Sequence, residues 1–398
     1  MIAVSFLGTG NYSEIIYKDY DTQSFYKTKY FAEALYHIYK PDIIYLVSTV
    51  EAKQKHFTEL SSKIEFEEII IPTGKTNDEI WQMFSDITER IPQNAEIIID
   101  ITHGFRSQPM IALSIAIFLR IVKNVKINKI IYGAYEAKEE DIAPIFNITS
   151  FVYLIDWSYA TEQFIRNGKS EFLSNLLNEI HNKIRIEQNL FSNLKSFATS
   201  IDKITESLMF IRPQELSQHS KELPNKLNKI RNDIIKIPEI KPLQYLLNKI
   251  PESFSSLVIE DENIFSEAGF KMQTEIIKYY IETQQFVQAI TLAREFMVSL
   301  ICKKFNLEFI KKEGRNKAED LLNGWAASLI KKEVLNEFES KFASLWCKIR
   351  DARNDINHAG MKESVLSANL LKKKIQEYCL QTIELLDYAH QPLKSSKR

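Results

Sequence analysis

Cysteine is scarce in this chain. Its three copies, Cys302, Cys347 and Cys379, lie far apart in the last third. No CxxC spacing occurs, which leaves no basis for a disulfide framework or a thiolate zinc site and fits a reducing compartment. No run reaches the roughly 18 consecutive apolar residues of a membrane span. The amino terminus enters a strand-like Ile2–Leu7 without the charged and apolar regions of a leader, so the expected location is cytoplasmic, with no membrane partner. No HExxH, histidine pair or acidic cluster with ligand spacing occurs, so no metal ligand is assigned and metal-independent chemistry is expected. The absence of GxxxxGK[ST] and GxSxG argues against a P-loop nucleotidase and an α/β-hydrolase. Nor is there a global excess of positive charge: 51 Lys and Arg face 52 Asp and Glu, a net of -1.

What remains is an ordinary soluble composition, 45% hydrophobic and 26% charged over 398 residues, enough for two or three domains. The charge is uneven. Residues 266–398 carry 22 basic and 17 acidic groups, so the carboxyl third is the better surface for a polyanion, although a solvated helical face can show the same excess. Over the first 150 residues, strand-like runs at Ile2–Leu7, Ile43–Ser48, Glu67–Ile71, Glu96–Ile101, Lys129–Tyr135 and Pro144–Ile148 alternate with helical segments at Thr28–Tyr39, Glu51–Lys63, Asn77–Ile91 and Met110–Val122. Continuous apolar strands between helices predict a Rossmann-like α/β domain with a mostly parallel sheet. The last two strands read as an antiparallel hairpin at one edge. After Thr149 the strand signal stops. A helical connector punctuated by Pro213, Pro224, Pro238, Pro242 and Pro251 leads to an all-helical domain with segments at Glu267–Tyr280, Phe286–Phe305, Ala318–Ser328, Lys332–Asp355 and Val365–Ala389. The expected division is 1–157, 158–265 and 266–398.

Three constellations carry chemistry. Gly8-Thr9-Gly10-Asn11-Tyr12 follows the first strand. Its glycines allow a sharp turn and close approach to a ligand, but Ser13 stands where GxGxxG needs a third glycine, and a plain tight turn is the competing reading. The second is Ile97–Pro109, where an apolar strand ends in Asp100-Ile101-Thr102-His103-Gly104-Phe105-Arg106-Ser107 before the apolar helix at Met110–Val122. A strand end followed by a helix start can aim backbone N–H groups and an arginine fork at phosphate. The structural alternative has Asp100 capping the turn, His103 satisfied in the core and Arg106 paired with an acid. Strands one and four of such a sheet can lie side by side, bringing the two turns together. The third is Arg353-Asn354-Asp355-Ile356-Asn357-His358. Arg353 and His358, five apart, converge only near a helix end, which Ala359-Gly360 supplies. A histidine that trades protons beside a permanent cation suits phosphodiester cleavage; a basic helix terminus is the competing reading.

Together these motifs resemble a known family. Asp100-Ile101-Thr102-His103-Gly104 matches the DxTHG signature of CRISPR-associated proteins of type III systems, with Gly8-Thr9-Gly10 and Phe105-Arg106-Ser107 in keeping, and Arg353-Asn354-x-x-x-His358 is similar to the RN-x3-H motif of HEPN ribonucleases. The order is that of CARF–HEPN effectors. The resemblance implies a homodimer, open to further assembly, whose CARF domains bind one cyclic oligoadenylate, with a ring of four favoured. It also implies a composite HEPN site that cleaves single-stranded RNA without metal or cofactor, leaving a 2′,3′-cyclic phosphate. Arg353, Asn354 and His358 are then catalytic. Gly8, Thr9, Gly10, Asn11, Thr102, His103, Gly104, Phe105, Arg106 and Ser107 form the ligand site. Two alternatives stay open: a sensor whose HEPN domain is an inactive regulatory module, and a CARF domain that also degrades its ligand.

Overall fold

The computed structural model describes residues 1–104, 108–187, 189–237, 240–241, 243–247, 254–259, 262–361, 363 and 365–390. Two compact units divide the chain, Met1–Ile155 and Asp156–Arg398.

The first unit is an eight-stranded sheet. Its strands are β1 (Ile2–Leu7), β2 (Ile15–Asp19), β3 (Ser24–Thr28), β4 (Ile43–Ser48), β5 (Glu67–Ile70), β6 (Glu96–His103), β7 (Lys126–Gly133) and β8 (Ile142–Asn147), in the spatial order β3-β2-β8-β7-β6-β1-β4-β5. From β7 to β5 every neighbouring pair is parallel. The helices are α1 (Phe31–Tyr39), α2 (Val50–Leu60), α3 (Asn77–Arg90) and α4 (Gln108–Val122), with α5 (Ser150–Asn167) leaving the sheet.

Side-chain alternation explains why both faces are covered. Ala3, Leu7 and Ile98 join a core with Phe31, Leu35, Phe57 and Leu60 of α1 and α2. Val4, Phe6, Ile97 and Ile99 join the opposite core with Met83, Ile87, Ile115 and Leu119 of α3 and α4. Because successive strand residues point to opposite faces, strands sandwiched in this way must be apolar throughout.

The strands expected from sequence need two corrections. β7 and β8 do pair antiparallel, but they are not at the edge, since β2 pairs with β8 and the β2–β3 hairpin closes that side. This hairpin occupies the residues between the first turn and α1, so the helix begins at Phe31 and Thr28 ends a strand.

The second unit is helical: the rest of α5, then α6 (Glu171–Glu187), α7 (Leu194–Met209), α8 (Pro213–Lys236), the short α9 (Leu243–Leu246), α10 (Glu267–Glu282), α11 (Phe286–Lys304), α12 (Lys312–Ile330), α13 (Glu337–Asn357) and α14 (Ala368–His390). Pro224 does not break the chain. It lies inside α8, where the buried stripe of Leu216, Leu223, Leu227 and Ile230 outweighs the one hydrogen bond that proline forgoes. Helix α11 is apolar nearly all round, with eleven buried residues from Ala289 to Cys302, and α10, α12, α13 and α14 pack about it. Among the described residues no helix is long and apolar enough to cross a membrane.

Candidate functional site

The sheet order reverses at β1. After the β2–β3 hairpin the chain lays β4 and then β5 on one side of β1, and returns to place β6 on the other. The crevice outside the carboxyl ends of β1 and β6 is therefore the topological switch point, where open α/β sheets hold ligands. Both sequence-predicted turns meet there. A Cβ on Gly8 would lie 2.7 Å from the His103 carbonyl oxygen, so the turns touch backbone to backbone and only glycine fits. Tyr12 clamps them: its hydroxyl accepts from the Gly8 N–H at 3.1 Å, and its ring lies 3.9 Å from that of His103.

Pairing between β1 and β6 slips after Ser5↔Asp100, so that Leu7 pairs with His103. This bulge gives β6 one extra residue and re-aims the side chains beyond it, because a one-residue slip exchanges the two faces. Asp100 keeps the α1 face of the sheet, where its fully buried carboxylate accepts from the Ser5 hydroxyl at 2.5 Å and from the Thr102 N–H at 2.7 Å. Burial pushes its pKa up to about 6, against the pull of those donors. The Thr102 hydroxyl accepts from the Gly133 N–H at 2.9 Å, tying β6 to β7. The His103 imidazole reaches the start of α1, where its Nε2 accepts from the Phe31 N–H at 3.3 Å. Burial pushes this imidazole down to about 4, the Lys29 backbone carbonyl opposing. It is neutral at physiological pH.

The third constellation lies at the end of α13. An Asn336 capping box with Glu339 starts this helix. Its end is His358, followed by Ala359 and Gly360, both in the left-handed region. Arg353 is half-buried, with its Nε enclosed and unpartnered, while Asn354 and His358 are exposed. Among the described residues no hydrogen bond joins the three side chains within one chain.

Comparison with known proteins separates the two ends. Residues 2–140 match the family described as the CARF domain of the CRISPR system endoribonuclease Csx1, and residues 153–261 match the second domain of the CRISPR-associated protein MJ1674. The chain's amino-terminal domain is a CARF domain of the CRISPR-associated kind. A curated relative, CRISPR-associated protein MJ1674 of Methanocaldococcus jannaschii, is 24% identical over 302 residues, 74% of this chain, and the chain spans 42% of that relative's length. Among solved structures, Enterococcus italicus Csm6 bound to cyclic hexa-2'-fluoro-hexa-dAMP aligns over 98% of this chain and 95% of its own at a TM-score of 0.39 and 13% identity.

Within the CARF domain, the structure brings Gly8, Thr9, Gly10, Asn11, Thr102, His103 and Gly104 to one crevice, while Phe105, Arg106 and Ser107 lie outside the described residues. Two residues of α2 that no sequence motif marks complete its wall. Lys55 donates to the Thr9 carbonyl at 2.7 Å and to Asn11 Oδ1 at 2.6 Å. His56 donates from Nε2 to the Gly10 carbonyl at 3.0 Å, and its Nδ1 lies 3.2 Å from the Tyr30 hydroxyl, which donates to Glu59 at 3.1 Å. Burial holds His56 below the usual imidazole range. The only signal in the sequence is that α2 follows a central strand, and so must start at the same sheet edge as the two turns.

Proposed function

We propose that the CARF crevice senses cyclic oligoadenylate and that the carboxyl-terminal helices act as a HEPN-type endoribonuclease, which that ligand activates. The observation that carries the reading is the match of residues 2–140 to the Csx1 CARF domain, joined to a glycine-lined crevice at the switch point of its sheet. The active form is a homodimer, since a ring of phosphates suits two symmetry-related anion sites. The exposed Met110, Phe118 and Ile121 of α4 support contact with a second copy. Cyclic tetraadenylate is the favoured activator.

At the RNA site, His358 and Arg353 at the end of α13 divide the work. The 2′-hydroxyl attacks phosphorus, the bond to the 5′-oxygen breaks, and a 2′,3′-cyclic phosphate remains. His358 manages the proton of the attacking or leaving oxygen, Arg353 stabilises the charge gathering on the phosphorane, and Asn354 supports them. No metal is required. A single chain leaves these groups unlinked, as expected if the site is completed across a dimer; the same observation fits a second reading, in which the helical region is a regulatory module without ribonuclease activity.

One assay separates the readings: cleavage of single-stranded RNA by the purified chain with cyclic tetra- or hexaadenylate. His358→Ala should lose at least about 100-fold in rate while still binding the ring, and chelators should change nothing. Undiminished cleavage by His358→Ala would remove the catalytic assignment, and no cleavage by the wild type with either ring would favour the regulatory module.

A further inference from the structure

We propose that Lys55 is a fixed positive charge of the CARF crevice and takes a phosphate of the bound ring, with the Thr9–Asn11 turn as its holder. This rests on the crevice being the cyclic oligoadenylate site. An ammonium has three donors; two of those on Lys55 go to the Thr9 carbonyl and Asn11 Oδ1, which leaves one for a ligand. Both acceptors are neutral, and among the described residues no carboxylate pairs with Lys55. Its neighbours differ. Lys29, Lys53 and Lys63 pair with Glu59, Glu68 and Glu33. A lysine held at both sides yet lacking a counter-ion, at the mouth of a switch-point crevice, is an anion site in waiting.

Two further observations single it out. His56 and His103, the other basic side chains on the described walls, are both held toward their neutral forms, so neither supplies charge at neutral pH. A free lysine side chain also loses considerable rotamer freedom when it grips a ligand, whereas this one is already ordered by its two acceptors. Asn11 is recast by the same geometry. Its amide oxygen faces Lys55, which makes it a positioning residue for the ammonium.

The test is calorimetric binding of cyclic tetraadenylate and cyclic hexaadenylate to the full chain over a series of NaCl concentrations. Lys55→Gln should weaken the bound ring by about tenfold and make the plot of log K against log salt shallower by about 0.7, the share of one phosphate contact on a single strand. Lys55→Met, which keeps the stem without the charge, should do the same, and it carries the test if the glutamine variant does not fold. Lys55→Arg should preserve the salt slope, and Asn11→Ala should weaken binding while leaving that slope in place. Wild-type binding with unchanged affinity and slope in both neutral variants overturns the role of Lys55 alone. If neither ring binds the wild type, the ligand reading itself fails, and the proposal falls with it.

Discussion

Replacing Asp100 by asparagine should stabilise the CARF domain at neutral pH and do nothing at pH 4. The carboxylate is fully buried between β1 and the α1 face of the sheet, and burial raises its pKa from 3.8 to about 6 despite donors from Ser5 and Thr102. A raised carboxylate pKa means that the fold prefers the protonated acid. The cost of ionisation is therefore absent below about pH 4, grows as pH rises towards 6 and is constant above it. A shift of about two units at roughly 1.4 kcal/mol each amounts to about 3 kcal/mol. Asparagine keeps an acceptor for the Thr102 N–H and carries no charge, so its advantage over the wild type should climb from near zero at pH 4 to about 3 kcal/mol at pH 7. The difference is the quantity to measure, because His103 runs the other way. Its imidazole, held down to about 4, makes the fold gain stability as pH rises through the same window, which masks the Asp100 slope in the wild type alone. Hydrogen exchange of the Ile2–Leu7 and Glu96–Ile101 amides, corrected for the intrinsic rate at each pH, reports the opening free energy of these two strands. An advantage that is equal at pH 4 and pH 7, or a less protected variant at pH 7, would refute the reasoning: the carboxylate would then be held as an anion by its donors.

Three other outcomes are expected. Gly133→Ala places a Cβ 2.4 Å from the Phe31 ring and 2.8 Å from that of Tyr17, both fully buried, so it should cost about 1–3 kcal/mol, read as earlier exchange of β7 amides. Asn336→Ala removes the side-chain half of the α13 capping box, leaving the backbone N–H that donates to Glu339, and should cost about 1 kcal/mol, seen as faster exchange in the first turn of that helix and not at Arg353. Affinity for cyclic tetraadenylate should be level from pH 7 to pH 8, because His103 and His56 are already neutral there; a steep fall across that interval would mean that a histidine binds the ring in its charged form.

The parallel core of the CARF domain was legible in the sequence because strands covered on both faces announce themselves as apolar runs. Ile43–Ser48 and Glu96–Ile101 stand out for that reason, and so does their partner Ile2–Leu7, with β1 and β6 side by side as expected. The β2–β3 hairpin was not legible. At the sheet edge, Tyr17-Lys18-Asp19 and Phe25-Tyr26-Lys27 bury only alternate or no residues, and such short mixed segments look like loop. The bulge in β6 was equally hidden, since a register slip is a property of two strands and not of either sequence. In the candidate site, glycines and the DxTHG stretch marked two walls. The third wall, Lys55 and His56, lies in a helix whose composition is that of any amphipathic surface helix, and only the fold brings it to the turns.

The letters of the DxTHG stretch divide by direction. Asp100 and Thr102 spend their side chains on Ser5 and Gly133, so they set the positions of β1, β6 and β7 and offer a ligand little beyond backbone. His103 is turned by the bulge onto Phe31 and Tyr12, which locks the start of α1 against the first turn. Gly104 comes directly after, and Gln108 packs where its side chain would have been, 3.1 Å from an added Cβ. Asp100–Gly104 is then mainly an instrument for holding backbone at a crevice, and recognition of an anion comes from N–H groups and from charge brought by residues outside those five. Neutral histidines cannot supply that charge. This is why the α2 wall matters to the sensing role: with Asp100 buried behind the strands and both imidazoles uncharged, the ammonium of Lys55 decides the sign of the described crevice.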